Sequence, residues 1–219
     1  MEHLERYLRP TFAIDSDNQL VREKAWDLTE GQDVSADKAK SLFYFVRDQI
    51  KYNVYVPFQL LKHYRASTIL ENGEGYCVQK AVLMAALARA IDIPARLGFA
   101  DIINHLLPEK FLEIYGTNLL VYHGFTELHL NNIWIRVTPT FDVDMCRKHH
   151  IIPVDFDGKT DARFHRANRD GKLHIEYVRY HGSFDDLPLD RILDARKEST
   201  GEHYKLWQEH VLRGEQTED

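Results

Sequence analysis

Apolar residues recur at intervals of three and four in two segments near the start of the chain. Residues 17–29 carry Leu20, Val21, Ala25 and Leu28, and residues 35–52 carry Ala39, Leu42, Phe43, Val46 and Ile50. This spacing places the apolar side chains on one face of a helix. The pattern therefore predicts two amphipathic helices.

The segment from Val78 to Ile91 is the strongest helix prediction. Its sequence, VQKAVLMAALARAI, is rich in Ala, Leu and Met and contains neither Gly nor Pro. It is apolar on nearly every side, which is typical of a helix buried in the core. Asp92 and Pro94 mark its end, because a proline disfavours helical geometry in the residue before it.

Strand patterns follow this helix. Residues 95–101 predict one strand, and residues 118–130 and 133–138 predict two more, joined by a turn at Asn131 and Asn132. In this register the facing pairs are His129 with Trp134, Glu127 with Arg136, Phe125 with Thr138, and His123 with Thr140. All eight side chains would share one face of the hairpin.

The remaining segments have weaker patterns. Residues 53–67 have no clear period and predict an extended segment or a loop. Beyond Pro139 the chain is rich in Asp, His and Arg and predicts short strands and loops, with one last helix near Glu202 to Leu212. We expect a single domain over residues 1–219.

Charge and cysteine content narrow the function classes. The net charge is −6, with acidic and basic residues interleaved, so nucleic acid and membrane surfaces are poor candidate partners. The first residues are charged where a signal peptide needs an apolar run, and no stretch approaches the length of a membrane span. Two cysteines are too few for a disulfide scaffold. We expect a soluble cytoplasmic protein with free thiols.

Cys77 is the strongest candidate for chemistry. It follows Gly73-Glu74-Gly75-Tyr76 and stands at the first turn of the predicted buried helix. Unpaired N–H groups at a helix start favour negative charge, so they should lower the pKa of the thiol and could receive an oxyanion. Cys146 has neither a glycine approach nor a helix-start signature, and we interpret it as structural.

A nucleophilic cysteine needs a histidine close in space. Twelve histidines are present, and the hairpin register favours His123, because Thr138, Thr140 or Asp142 could accept a hydrogen bond from its ring. His129 is the weaker candidate. A metal site is disfavoured, because no His-Glu-x-x-His pattern or cysteine-pair spacing occurs. No cofactor is expected.

Two stretches of the sequence, GEGYCVQKAVLMAALARAIDIPARLGF and YHGFTELHLNNIWIRVTPTFD, resemble the core of the transglutaminase-like superfamily over about residues 36–142. The matching features are Cys77, Arg89 to Arg96, His123 to Glu127, and Trp134 to Thr140. The resemblance implies an α+β, papain-like cysteine protease fold: N-terminal helices, with a central Cys-bearing helix packed on an antiparallel β-sheet. It also implies a Cys77–His123 pair that acts on peptide or protein amide bonds.

One position departs from the family pattern. Thr138 stands where the family places the aspartate of a catalytic triad, and a hydroxyl cannot stabilise an imidazolium by charge. Thr138 could orient His123 weakly, Asp142 could substitute, or the site could be inactive. The inactive case corresponds to a non-catalytic interaction domain that keeps the fold.

Two further choices stay open at this point. Water as the acyl acceptor would make the protein a protease or amidase, whereas an amine would make it a transglutaminase. The backbone N–H of Cys77 is the first candidate donor to the oxyanion. Tyr76 and Tyr55 are weaker candidates for the second donor.

Overall fold

The computed structural model describes residues 2–213, with side chains from residue 4 onward. Helices dominate its N-terminal part: α1 (Glu2–Glu5), α2 (Gln19–Thr29), α3 (Ser35–Gln49) and α4 (Ala66–Asn72). The two amphipathic helices predicted from the sequence are confirmed. However, α3 ends before residue 52, because Lys51–Tyr52 forms a short strand, β1, that pairs in parallel with β2 (Glu74–Gly75).

The central helix, α5 (Cys77–Ala90), confirms the strongest helix prediction. Every residue from Val78 to Arg89 is buried, which includes two charged residues. Lys80 donates to the carbonyl oxygens of Arg47 (3.1 Å) and Ile50 (2.6 Å). Buried charged groups need such hydrogen-bond partners, so Lys80 ties α5 to the C-terminal end of α3.

An antiparallel sheet lies against α5. Its strands are β3 (Ala95–Asn104), β4 (Leu119–Leu130), β5 (Ile133–Val137) and β6 (Ile175–Phe184), in the spatial order β5–β4–β3–β6. The Thr126 hydroxyl on β4 donates to the Ala81 carbonyl oxygen on α5 at 2.8 Å. The molecule is therefore of the α+β class, with the cysteine-bearing helix packed on the sheet.

The β4–β5 hairpin confirms only part of the predicted register. His129 pairs with Trp134 and Glu127 with Arg136, as expected. The ladder then ends at Thr126 and Val137, so the expected pairs Phe125–Thr138 and His123–Thr140 are wrong. After Val137 the chain leaves β4, and Thr138 N–H donates instead to the Ala162 carbonyl oxygen at 2.9 Å.

Helices and a long strand occupy the region where short strands and loops were expected. An earlier helix, α6 (Glu109–Tyr115), lies between β3 and β4. Beyond Pro139 the elements besides β6 are α7 (Val143–Lys148), α8 (Leu189–Thr200) and α9 (His203–Arg213). The last of these is the one late helix that was predicted. Helix α8 was missed because its buried positions are Ile192, Arg196 and Thr200, and two polar residues among the three hide the apolar period.

A buried carboxylate holds the outer face of the sheet. Glu127 is 2% exposed and accepts from Arg96 (2.6 Å), Arg136 (3.2 Å), Ser183 (2.7 Å) and Tyr180 (3.2 Å). These partners lie on β3, β5 and β6, so one side chain on β4 joins all four strands. Its pKa lies below the ordinary value, because these hydrogen bonds and arginine charges outweigh the effect of burial.

Replacement of Glu127 tests this network. Glu127→Gln should lower the free energy of unfolding by roughly 3 kcal/mol, because removing one partner of a buried ionic network leaves the others uncompensated. Urea unfolding at neutral pH measures the change. Glu198→Gln, an exposed glutamate on α8, is the matched control and should change the stability by less than about 0.5 kcal/mol. Equal effects of the two substitutions would contradict the role given to Glu127.

Candidate functional site

Cys77 is the first residue of α5, and the segment in front of it is fixed by hydrogen bonds. Gln79 accepts from the backbone N–H of Tyr76 (3.2 Å) and donates to the carbonyl oxygens of Pro57 (3.1 Å) and His63 (2.8 Å). The helix start is thereby held to the loop that precedes α4. The two preceding glycines have structural roles. Gly73 ends α4 at a φ of 69°, in the left-handed region, and Gly75 belongs to β2.

Strand β4 approaches the start of α5 closely at Gly124. A Cβ atom at this position would lie 2.8 Å from Val78 Cα, which is closer than folded proteins allow, so only glycine fits here. The backbone N–H of Gly124 also lies close enough to the Cys77 thiol to favour its thiolate form. The contact therefore brings His123, the next residue along β4, to the same end of the helix as Cys77.

A bulge in the sheet precedes His123. The pairing of β3 with β4 shifts register beyond Ala100, and Tyr122 adopts a φ of 51°, in the left-handed region. Asp101 Oδ1 accepts from Tyr122 N–H at 3.0 Å and lies 2.6 Å from His181 Nε2. The His181 ring stacks on Tyr122 with 4.0 Å between centroids. These contacts fix the backbone from which the His123 side chain projects.

Cys77 and His123 both line one cavity of about 450 Å³. Its walls come from the β1 region, the start of α5, β4, and helices α6 to α9. Most of the surrounding side chains are aromatic or apolar, and the aromatic ones include Tyr52, Tyr55, Tyr76, Phe111, Tyr115, Phe141, Phe164 and Trp207. A half-buried thiol and an imidazole therefore face an enclosed space of the size of a small ligand site.

The thiol is less acidic than the sequence predicted. Burial raises the pKa of Cys77, and the backbone N–H groups of Gly124 and Val78 and the charge of Arg196 oppose this rise only in part. The expectation of a lowered pKa is therefore wrong. The reason is that the helix start lies under several other elements, where loss of hydration of a thiolate outweighs the favourable N–H groups.

The His123 imidazole is neutral in this environment. It is 3% exposed, and burial, followed by the charge of Arg163, lowers its pKa to about 3. Its ring lies 5.0 Å from that of Phe164, and its Nε2 has no hydrogen-bond partner among the described residues.

The two candidates for a third partner lie in different places. Thr138 is 1% exposed, its hydroxyl has no hydrogen-bond partner within the described part of the chain, and it does not line the cavity. Asp142 is the N-cap of α7, where Oδ1 accepts from Met145 N–H (2.8 Å) and Oδ2 accepts from Tyr52 N–H (3.0 Å). Both oxygens of Asp142 are thus engaged away from His123.

Both tyrosines named from the sequence line the cavity. The Tyr76 hydroxyl lies 2.7 Å from the Tyr64 hydroxyl, so its hydrogen-bonding capacity is partly used. The Tyr55 ring packs against Trp207, with 5.2 Å between centroids. Cys146 is buried, and burial raises its pKa to about 11.

Two polar residues of the cavity wall were missed. His174 is 1% exposed, and burial lowers its pKa to about 4. Arg196, on α8, is 8% exposed. Neither stands in a recognisable motif, and only the folding of the C-terminal segment over the helix start places them beside Cys77.

The described residues contain neither a metal-ligand cluster nor a membrane-spanning helix. Within residues 4–213 no group of three or more His, Cys, Asp or Glu side chains is placed to hold a metal ion. None of the helices in the described part of the chain has the length and apolar content needed to cross a bilayer.

The buried histidines make stability sensitive to acid. His123 and His174 have folded pKa values of about 3 and 4, below the unfolded value of about 6.5, so between these limits only the unfolded state binds the proton. Their contribution to stability is complete above about pH 6.5 and falls by about 2 kcal/mol per histidine at pH 5.

Urea unfolding at pH 8 and pH 5 measures this loss of stability. His174→Gln should reduce it, whereas the control His150→Asn, at an exposed position, should not. An equal loss in all three proteins would contradict this account.

Solved structures with a related fold are distant from this chain. One is a candidate cysteine protease from Cytophaga hutchinsonii (17% identity, TM-score 0.49), of which this chain spans 58%, with 85% of this chain aligned. The periplasmic domain of TgpA from Pseudomonas aeruginosa has 23% identity and a TM-score of 0.42, over 60% of this chain and 46% of that one. A candidate protease from Parabacteroides distasonis has 12% identity and a TM-score of 0.41, over 62% of this chain and 25% of that one.

The chain thus spans less than two thirds of each of these structures. No curated protein matches it. The family comparison covers more of the chain: residues 22–139, more than half of the 219, match the transglutaminase-like superfamily. This segment contains Cys77, Gly124 and His123 and extends through the β4–β5 hairpin. The chain therefore belongs to the transglutaminase-like superfamily and has its papain-like α+β fold.

Proposed function

We propose that this protein is a cysteine-dependent hydrolase or acyltransferase that acts on peptide or carboxamide bonds, with Cys77 as nucleophile and His123 as base. One observation carries the proposal: the Cys77 thiol lies at the start of a buried helix, where the Gly124 N–H opposes the rise in its pKa, in the cavity that His123 also lines. Membership in the superfamily supports the same reaction class.

The resting pair is neutral, which sets the order of proton transfers. As Cys77 Sγ attacks the substrate carbonyl, the thiol proton moves to the His123 imidazole. The resulting imidazolium gives this proton to the leaving amine, the C–N bond breaks, and a thioester remains on Cys77. Water then attacks the thioester with His123 as base, releasing a carboxylic acid and restoring the thiol.

The negative oxygen formed during attack needs hydrogen-bond donors. The backbone N–H of Cys77 at the start of α5 is the first. Tyr55 and Tyr76 stay candidates for the second, and Tyr76 would have to exchange its contact with Tyr64. We favour water over an amine as acceptor and a peptide or protein as substrate. We also propose the cytoplasm as compartment, because both cysteines are free and the reaction needs a reduced thiol.

A second function is favoured by one specific observation. His123 has a neutral ring and a folded pKa of about 3, and neither Thr138 nor Asp142 supplies it with a carboxylate. An interaction domain that has lost the chemistry would have the same arrangement. In the enzyme Cys77 is acylated and then restored by hydrolysis of the thioester, whereas in the interaction domain this cycle does not occur.

Acylation with p-nitrophenyl acetate separates them. The acetyl group should appear on Cys77 and be lost in the wild type, whereas in His123→Ala its loss should be about 100-fold slower. The reason is that the nitrophenolate leaves without a proton but attack by water needs the base. Intact-mass spectrometry follows the adduct over time.

His129→Ala is the matched control, because His129 lies on the same strand and packs on Trp134, away from the cavity. It should behave as the wild type does, and Cys146 should stay unmodified. No acetylation of Cys77, or equal acetylation of both cysteines, would favour the interaction domain.

A carboxylate at position 138 tests the departure from the family pattern. A negative charge that reaches the imidazole favours the imidazolium, so Thr138→Asp should raise the pKa of His123 by about one unit or more. Histidine NMR titration measures this shift, and deacetylation of Cys77 should become roughly tenfold faster. Thr138→Asn is the neutral control of equal size. An unchanged His123 pKa in Thr138→Asp would show that position 138 does not act on the imidazole.

A further inference from the structure

Arg196 is a buried cation in the wall of the Cys77 cavity. Its side chain comes from α8 and packs over the rings of Phe58 (4.6 Å) and Tyr76 (5.1 Å). Its Nε has no hydrogen-bond partner, and within the described part of the chain no carboxylate oxygen lies within 4.0 Å of its guanidinium. Buried charges are ordinarily paired, so Arg196 is an exception within this fold.

The hydroxyl groups around Arg196 cannot neutralise it. Burial raises the pKa of Tyr64, Tyr76 and Tyr115 above the ordinary value, so all three are neutral near pH 7. They supply hydrogen-bond acceptors and aromatic faces, which attract a guanidinium, but no negative charge. The positive charge of Arg196 is thus available to a ligand.

The charged residues that line the cavity are mostly cationic. Its cationic lining residues are Lys51, Lys148 and Arg196, and its one acidic lining residue within the described part is Glu74. Glu74 accepts a hydrogen bond from Asn53 at 3.0 Å. The whole protein has a net charge of −6, so the cavity is positive in an otherwise acidic molecule. Such a cleft attracts anions.

We infer that the cavity takes an amide substrate that also carries a carboxylate, and that Arg196 binds this carboxylate while the reacting carbonyl lies at Cys77. The guanidinium suits this role, because its planar donors match the two oxygens of a carboxylate. The inference rests on the proposed function in that Cys77 is the attacking thiol. It adds a specificity residue that lies outside the segment matched to the family.

Two alkylating reagents that differ in charge test the inference. Each forms an S–C bond to Cys77 and releases iodide, but iodoacetate carries a carboxylate and iodoacetamide does not. The ratio of the iodoacetate rate to the iodoacetamide rate should be higher for Cys77 than for free cysteine. In Arg196→Gln the ratio should fall roughly tenfold, since a hydrogen bond to a charged group contributes about 1.5–3 kcal/mol. The rate with iodoacetamide should fall less than the rate with iodoacetate, because the effect of Arg196 on the thiol pKa acts on both reagents equally.

Two further variants make the result specific. Arg196→Lys keeps the charge without the planar donors and should retain part of the preference for iodoacetate. Arg191→Gln removes an exposed arginine from the same helix and should leave the ratio unchanged. If Arg196→Gln fails to fold, Arg196→Lys takes its place, and a ratio in Arg196→Lys as high as that of the wild type overturns the inference.

The outcomes separate this inference from the proposed function. If Cys77 reacts with neither reagent, the proposed function fails. If both rates fall by the same factor in Arg196→Gln, the arginine acts only on the thiolate and the inference of a carboxylate site is overturned. A ratio for wild-type Cys77 no higher than that of free cysteine also overturns it and leaves the reactivity of Cys77 intact.

Protection against iodoacetamide identifies the source of the carboxylate. N-acetylalanine offers a terminal carboxylate, N-acetylaspartic acid α-amide a side-chain carboxylate, and N-acetylalanine amide neither. At least one of the two acids should slow alkylation of Cys77 in the wild type and not in Arg196→Gln. Stronger protection by N-acetylalanine indicates that the site binds a chain terminus. Stronger protection by N-acetylaspartic acid α-amide indicates that it binds an acidic side chain. Equal protection by all three compounds counts against a carboxylate site.

Discussion

The close packing of β4 against the start of α5 is the contact on which the rest of the site depends. Gly124 lies against Val78 with no room for a side chain, and the Thr126 hydroxyl bonds to the Ala81 carbonyl oxygen one helical turn further on. Because strand and helix meet at this distance, a backbone N–H reaches the Cys77 thiol and His123 lies at the same end of the cavity. A side chain at position 124 would separate the two elements.

Burial dominates the electrostatics that this packing creates. The helix start and the Gly124 N–H favour a thiolate, but loss of hydration has the larger effect and the thiol pKa rises. The same cause lowers the pKa of His123. The site is therefore a neutral pair enclosed by aromatic side chains, and any charge that forms during a reaction must be met by hydrogen bonds or by the substrate.

The buried charged residues Lys80, Glu127 and Arg196 differ in the partners that stabilise their charges. Lys80 is held by two backbone carbonyl oxygens, and Glu127 by two arginines and two hydroxyl groups. Each is satisfied within the protein and each joins neighbouring elements. The Arg196 guanidinium has no carboxylate within 4.0 Å among the described residues, its Nε has no hydrogen-bond partner, and it faces the cavity. A role in holding the fold together therefore explains the burial of Lys80 and Glu127, but it does not explain the burial of Arg196.

The sequence by itself determined the local elements and the family. The periodicity of α2, α3 and α5, the hairpin pairs at Glu127 and His129, and the motif around Cys77 are short-range features, and short-range preferences are visible in the residues themselves. Only the tertiary structure decided the pKa of Cys77, the divergence of Thr138 from β4, the use of Asp142 as a helix cap, and the placement of α8. Each of these depends on which distant segments cover the helix start, and burial of that kind leaves no local pattern in the chain.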